Sequence, residues 1–204
     1  MADSAHQKHT DQIFPTRPAT PDDADHLARL INYAGEGMPY HVWQKSAEAG
    51  MDPWEVGRIR ARRIEGAFTY RNAVIAEVEG DVAACLVTYP LPDKPEPIDY
   101  DTMPAMFVPL QELENLAPDT QYVNVLATHP EFRGMGCGTH LLAEAERMAD
   151  GRPMSIIVSD GNTNARRLYE KTGYVETDAR PIVKEDGWDC EGENWVLLVK
   201  RDPR

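Results

Sequence analysis

The run Arg133-Gly134-Met135-Gly136-Cys137-Gly138 sets three glycines at alternate positions behind an arginine, then passes through Thr139 into Leu141 and Leu142. Glycine stands where the chain must take φ > 0 or where something approaches the main chain closely. A tight strand-to-helix turn accounts for one such glycine, or two; three invite a ligand. At the start of a helix, the N–H groups of Gly134 to Thr139 are free to point into one concavity, where the positive end of the helix dipole also lies. The chemistry on offer is anion binding, and the competing reading is a turn and nothing more. No G-x-x-x-x-G-K-[ST] is present, and Thr139 occupies the place where a G-x-G-x-x-G counted from Gly134 needs its last glycine. Neither a P-loop nor a dinucleotide fingerprint is supported.

Other residues with chemical capacity lie downstream. Ala165, Leu168, Tyr169 and Thr172 fall at i, i+3, i+4 and i+7, so Tyr169 reads first as a core aromatic on a helix face. Asn162 is well suited to an N-cap. Cys85, Cys137 and Cys190 are odd in number, far apart and without C-x-x-C spacing, which indicates free thiols rather than disulfides or zinc ligands. Cys137 has no histidine of triad character beside it, so a nucleophile is not expected there.

The elements that must carry these residues follow from period and punctuation. Residues 1–12 read as a disordered polar tail, and 13–204 as a single domain. IFPTRPAT is a short extended segment, and Pro21, Asp22 and Asp23 open a helix that runs to Gly35. The stretch from Gly35 to Pro53 has no clean period and reads as a mobile, partly helical connection of the kind that shapes substrate clefts. Pro53 opens a second helix whose arginines, Arg58 to Arg63, read as a solvated face. AVIAEVEGDVAACLVTYP is a hairpin joined at Gly80-Asp81, and the prolines between Pro90 and Pro109 exclude a long strand before the short helix of VPLQELENLAP.

From Tyr122 onward the order is strand (YVNVLAT), glycine loop, helix with Leu141, Leu142, Ala145, Met148 and Ala149 on one face, strand (MSIIVS), helix to Gly173, strand (YVETDARPIV) and a last strand (ENWVLLVK). This is α/β order, with strands parallel where helices cross over between them.

The formal net charge of −13 argues against nucleic acid, whose phosphates are bound by Lys and Arg. No apolar run is long enough to span a bilayer, and the polar start MADSAHQKHTDQ lacks the apolar stretch of a signal peptide, so no membrane partner and a cytoplasmic location are expected. No metal site is indicated, His6 and His9 reading as solvated tail residues.

Two separate motifs give the chain a family likeness. VLATHPEFRGMGCGTHLL resembles the acyl-coenzyme A pyrophosphate loop of the GNAT-superfamily N-acetyltransferases, with its preceding strand and following helix, and NTNARRLYEKTGY is similar to their downstream helix. The likeness covers roughly Tyr122 to Val183 and extends more weakly from Ile13 onward. It implies a mixed α/β fold, a strongly twisted central sheet with splayed central strands flanked by helices, and acetyl-CoA as cosubstrate. By that resemblance, Leu126, Ala127 and Thr128 pair with the pantetheine arm. Arg133, Gly134, Met135, Gly136, Cys137, Gly138 and Thr139 hold the pyrophosphate, and Asn162 and Ala165 line the cofactor. Tyr169 is then the acid that meets the departing thiolate.

Many family members carry a glutamate on or beside the strand before the loop. This chain has Gln121 and Asn124 there, which leaves the general base unassigned, with Glu36, Glu112, Glu114 and Asp178 as candidates by position. Trp188 and the acids of KEDGWDCEGEN either line the amine side or solvate it. The acceptor is an amine, small-molecule or peptide, and its site is expected between Gly35 and Met51 and in the proline-rich segment. A homodimer is plausible on base rates alone. The alternatives to an acetyl-CoA-dependent N-acetyltransferase are a non-catalytic acyl-CoA-binding or sensing module, and an acyltransferase using another acyl group or acceptor.

Overall fold

A computed structural model describes residues 14–202, so the expected polar tail lies outside the described residues. One seven-stranded sheet runs through the molecule in the order β1-β2-β3-β4-β5-β7-β6. Its strands are β1 (Thr16–Pro18), β2 (Ala73–Val78), β3 (Asp81–Pro90), β4 (Gln121–Thr128), β5 (Met154–Ser159), β6 (Val175–Pro181) and β7 (Asn194–Lys200). Only β4 and β5 are parallel neighbours, and α5 (Cys137–Met148) crosses over between them. The crossover α6 (Thr163–Lys171) does not bring β5 and β6 together: β7 is inserted between them, antiparallel to both.

The helices divide over the two faces. Leu141, Leu142 and Ala145 of α5 pack with Leu86 and Val123 on one side. On the other, Leu27, Leu30 and Ile31 of α1 (Ala24–Ala34) pack with Ile75, Val87 and Val125. This alternation along β2 to β4 is what a sheet covered on both sides requires. Met148, expected on the buried face of α5, is exposed although Ala149 beside it is buried, because it falls at the edge of the stripe set by Leu141, Leu142, Ala145 and Ala149.

One expectation is corrected and one, of a partly helical segment after Gly35, gains definite bounds. The hairpin turns at Glu79-Gly80, both at positive φ, and Asp81 already pairs with Val78 as the first residue of β3. A two-residue loop with both central residues left-handed matches strand twist, which explains the one-residue shift. The stretch after Gly35 contains an ordered helix, α2 (Met38–Ser46), entered through Gly37 and Pro39, and its Trp43 is only 1% exposed. The packing of Trp43 against Trp54 of α3 (Pro53–Ala61) and against Phe68 fixes a segment whose sequence has no clean period. The short helix of the proline-rich region is present as α4 (Val108–Glu114).

Candidate active site

The pairing of β4 with β5 is short. Gln121, Tyr122 and Val123 face Met154, Ser155 and Ile156, and the ladder stops there, while β4 stays paired to β3 as far as Thr128. The departure coincides with a bulge: Val125 faces Val87 and Val123 faces Thr88, so Asn124 is the extra residue. A bulge bends its strand and re-aims side chains. Beyond it the free edge of β4 swings away from β5 and opens a cleft of about 970 Å³. Its wall includes Leu126, Ala127 and Thr128 from β4, Ser159 from β5, and Asn162, Ala165 and Leu168 around α6.

The glycine loop lies at the mouth of this cleft, and its three glycines have two different reasons. Gly134 and Gly136 adopt φ of +80° and +102°, and Gly136 is the N-cap of α5. Both conformations are ones that a side chain resists. Gly138 is helical; a Cβ there would stand 3.2 Å from Leu168 Cδ2, so its bareness lets α5 approach α6. Among the described residues, no main-chain N–H from Gly134 to Thr139 donates to another backbone group. Six donors, from the exposed Gly134 and Thr139 to the buried Cys137, therefore have no main-chain partner at the positive end of a three-turn helix, an arrangement suited to an anion. Arg133 adds charge at the rim, its Nε donating to the Thr128 carbonyl and its guanidinium lying 5.6 Å from the Tyr33 ring centre.

The sequence-assigned residues are thus brought together, with three distinctions. Arg133, Gly134, Gly136, Cys137, Gly138 and Thr139 line the cleft, whereas Met135 packs against the core. Cys137 is buried as the first residue of α5, and burial holds its thiol protonated. Tyr169 sits behind the wall formed by Leu168. Its ring packs 6.0 Å from that of Tyr174, and burial alone drives its hydroxyl further from ionisation.

Asn162 does two things at once. Its Oδ1 accepts from the Ala165 N–H, capping α6, and its Nδ2 donates to Glu36 Oε1 at 3.0 Å. Glu36 is held left-handed, at φ of +54°, in the α1–α2 turn, and its carbonyl accepts from Trp188 Nε1. Burial, with Glu191 nearby, raises its pKa above the usual carboxylate range despite the Asn162 bond. The last hairpin therefore reaches the cleft through Glu191, with Trp188 holding the Glu36 carbonyl from behind, while Asp189 and Glu193 are engaged by Lys184.

The four candidate carboxylates separate cleanly. Glu112 and Asp178 both pair with Arg180, which occupies them, and the Ala179 N–H together with the guanidinium lowers the pKa of Asp178. Among the described residues Glu36 and Glu114 have no cationic partner, and burial lifts the pKa of each, that of Glu114 to about 7. Gln121 is structural: its Nε2 donates to Thr88 Oγ1, which itself donates to the Tyr122 carbonyl. Asn124, at the bulge, opens onto a second cavity of about 400 Å³ on the far side of β4. Its lining draws on both segments in which the sequence leads us to expect the acceptor site, whereas Arg60, which also lines it, was missed; the charge run around Arg60 gave no sign of which arginine turns inward.

A sheet opened at one parallel pair, beside a helix N-terminus whose N–H groups have no main-chain partner, is an arrangement that suits an extended anionic ligand along the sheet edge. Residues 39–174 match the model of the acetyltransferase (GNAT) family, about two thirds of the chain, and the chain belongs to that family. An uncharacterized N-acetyltransferase of Methanocaldococcus jannaschii is 34% identical over 82 residues, a match taking in 38% of this chain and 49% of the relative, so the chain spans about half the length of the curated relative it matches. Among solved structures, one acetyltransferase superposes with a TM-score of 0.62 at 20% identity, covering 92% of this chain and 99% of its own. An N-acetyltransferase from Staphylococcus aureus Mu50 does so with a TM-score of 0.59 at 18% identity, covering 91% and 99%. At such identities these structures share the fold, which is the mixed, twisted α/β sheet with splayed central strands read from the sequence. Among the described residues no group of three His, Cys, Asp or Glu could hold a metal ion, and no helix is long and apolar enough to cross a membrane.

Proposed function

We propose that the protein is an acetyl-CoA-dependent N-acetyltransferase that passes the acetyl group directly to a primary amine, small-molecule or peptide, in a ternary complex in the cytoplasm. The observation that carries this reading is the set of six free N–H groups from Gly134 to Thr139 at the mouth of a cleft made by strand splaying. A pyrophosphate satisfies those donors, and the amides of a pantetheine arm can pair with the unpaired edge of β4 from Leu126 to Thr128. A main-chain N–H near Leu126 is suited to polarise the thioester carbonyl, and catalysis then comes mostly from positioning and fixed dipoles. Tyr169, kept neutral by burial, is a hydrogen-bond donor for the charge developing on sulfur once the chain around Leu168 adjusts to the ligand.

The test is calorimetric titration with acetyl-CoA and CoA, repeated on Gly136→Asp, followed by a thiol-release screen over amines. Binding lost in the variant, with release in the wild type, is the expected result; no binding overturns it. The packing of Tyr169 away from the cleft favours one second reading, a non-catalytic acyl-CoA-binding module, for which binding without release on any amine is the outcome.

A further inference from the structure

The two cavities lie back to back across β4. Leu126 lines the large cleft, and Asn124, two residues earlier at the bulge, lines the smaller cavity. The α1–α2 connection borders both, with Glu36 on the cleft and Met38 and Pro39 on the cavity. The smaller cavity is mostly apolar, with Trp43, Phe68, Tyr89 and Phe107 in its walls, and two charged side chains enter it: Glu114, the last residue of α4, and Arg60 from α3.

Among the described residues, neither side chain has an ion-pair partner. Arg60 makes no ion pair among the described residues, and burial beside Arg63 lowers its pKa, although the neighbouring Arg58 is held by Asp25, Asp52 and Glu55 and Arg62 by Glu55. Glu114 is faced by Tyr122 of β4, Tyr89 of β3 and Glu96 of the proline-rich segment, with Lys94 on its outer side; Arg180 of β6 is taken up by Glu112 instead. The Tyr122 hydroxyl lies beside both Glu114 and Asn124, so a polar chain runs from α4 to the bulge. Two groups of opposite charge in one apolar cavity are costly to ionise together unless a ligand meets both.

We propose that this cavity holds the acceptor as a primary amine on an apolar body that also bears a carboxylate, the compound class of an apolar amino acid, with Arg60 receiving the carboxylate and Glu114 the amine proton. The inference rests on the acetyl-transfer reading above. Glu114 takes one proton from the ammonium and frees the nitrogen lone pair. Attack on the thioester carbonyl forms the C–N bond and breaks the C–S bond, whose electron pair leaves on sulfur. A second nitrogen proton then neutralises the thiolate, directly or through water. Glu36 lies on the cofactor side, where Asn162 Nδ2 donates to it, and does not line this cavity.

The experiment compares two amines that differ only in the carboxylate, phenylalanine and 2-phenylethylamine, by thiol release at saturating acetyl-CoA, with acetyl-CoA affinity measured separately by calorimetry. The expected result is a kcat/KM preference of about tenfold or more for phenylalanine, the scale of a buried charge pair. Arg60→Gln should abolish that preference by raising the KM of phenylalanine and leaving 2-phenylethylamine unchanged. Glu114→Gln should lower kcat with both amines and remove the rise in rate through about pH 7, whereas Glu36→Gln should retain that rise. Equal use of both amines, an Arg60→Gln effect on both alike, or acetyl-CoA binding without release from either overturns the proposal while leaving the cofactor site intact. Failure of the wild type to bind acetyl-CoA overturns both readings together.

Discussion

Asn162 Nδ2 donates to Glu36 Oε1 at 3.0 Å, joining the N-cap of α6 to the α1–α2 turn across 126 residues of sequence. The same side chain caps α6 through Oδ1, so one residue fixes both walls of the cleft. Asn162→Ala should therefore cost about 1 kcal/mol from the lost cap alone, seen by chemical denaturation. It should also weaken acetyl-CoA binding in calorimetry. Asn162→Asp keeps the cap but sets a carboxylate against Glu36, and should recover stability less well at pH 8 than at pH 5.

Gly136 and Gly138 separate conformation from packing. Gly136→Ala forces a side chain into a left-handed N-cap and should destabilise by about 1–2 kcal/mol while reducing acetyl-CoA affinity. Gly138→Ala meets only the tip of Leu168, which can give way, so its effect on melting should be the smaller of the two. A larger loss from Gly138→Ala would mean that helix packing, not the loop conformation, limits the site.

Tyr169→Phe removes a hydroxyl held protonated by burial and without a charged neighbour. Stability should stay within about 0.5 kcal/mol of the wild type, and CoA affinity should be unchanged. Turnover should fall at least about tenfold if the hydroxyl meets the thiolate. Full turnover in a stable variant would remove Tyr169 from the chemistry.

Glu114 links pH to stability with a definite sign. Its folded pKa of about 7 lies above the ordinary 4.5, so between those values the folded protein holds a proton that the unfolded chain releases. The contribution is present below pH 4.5 and is lost as pH rises through 7. Glu114→Gln should stabilise the protein at pH 8 by about 1–3 kcal/mol, with little effect at pH 4.5. Urea denaturation at the two pH values measures this directly, and equal shifts at both would rule out titration as the cause.

Trp43 and Tyr40 lie three residues apart on α2 but have different jobs. Trp43 borders the smaller cavity, whereas Tyr40 packs against Trp54 with ring centres 4.8 Å apart at a tilt of 39°. Trp43→Ala would cost about 3–5 kcal/mol by cavity formation, so Trp43→Phe is the informative change. It should raise the KM for the acceptor more than that for acetyl-CoA. Tyr40→Ala should lower the melting temperature with both KM values little changed.

The sequence by itself determined the half of the molecule where function rides on local structure. From Tyr122 onward, strand, glycine loop and helix follow one another without interruption, so the turn conformation, the cap at Asn162 and the free N–H groups are written in consecutive residues. What only the tertiary structure decided are relations between distant segments. The insertion of β7 between β5 and β6, the splay after Val123 and the bulge at Asn124 depend on strand pairing, which no local pattern records. The same holds for charge. Glu112 and Glu114, or Arg58 and Arg60, look alike in the chain; one of each pair is neutralised by a partner from another element, and the other is turned into a cavity where burial shifts its proton affinity. Desolvation and pairing are properties of what packs against a side chain, and packing is settled only when the whole fold closes.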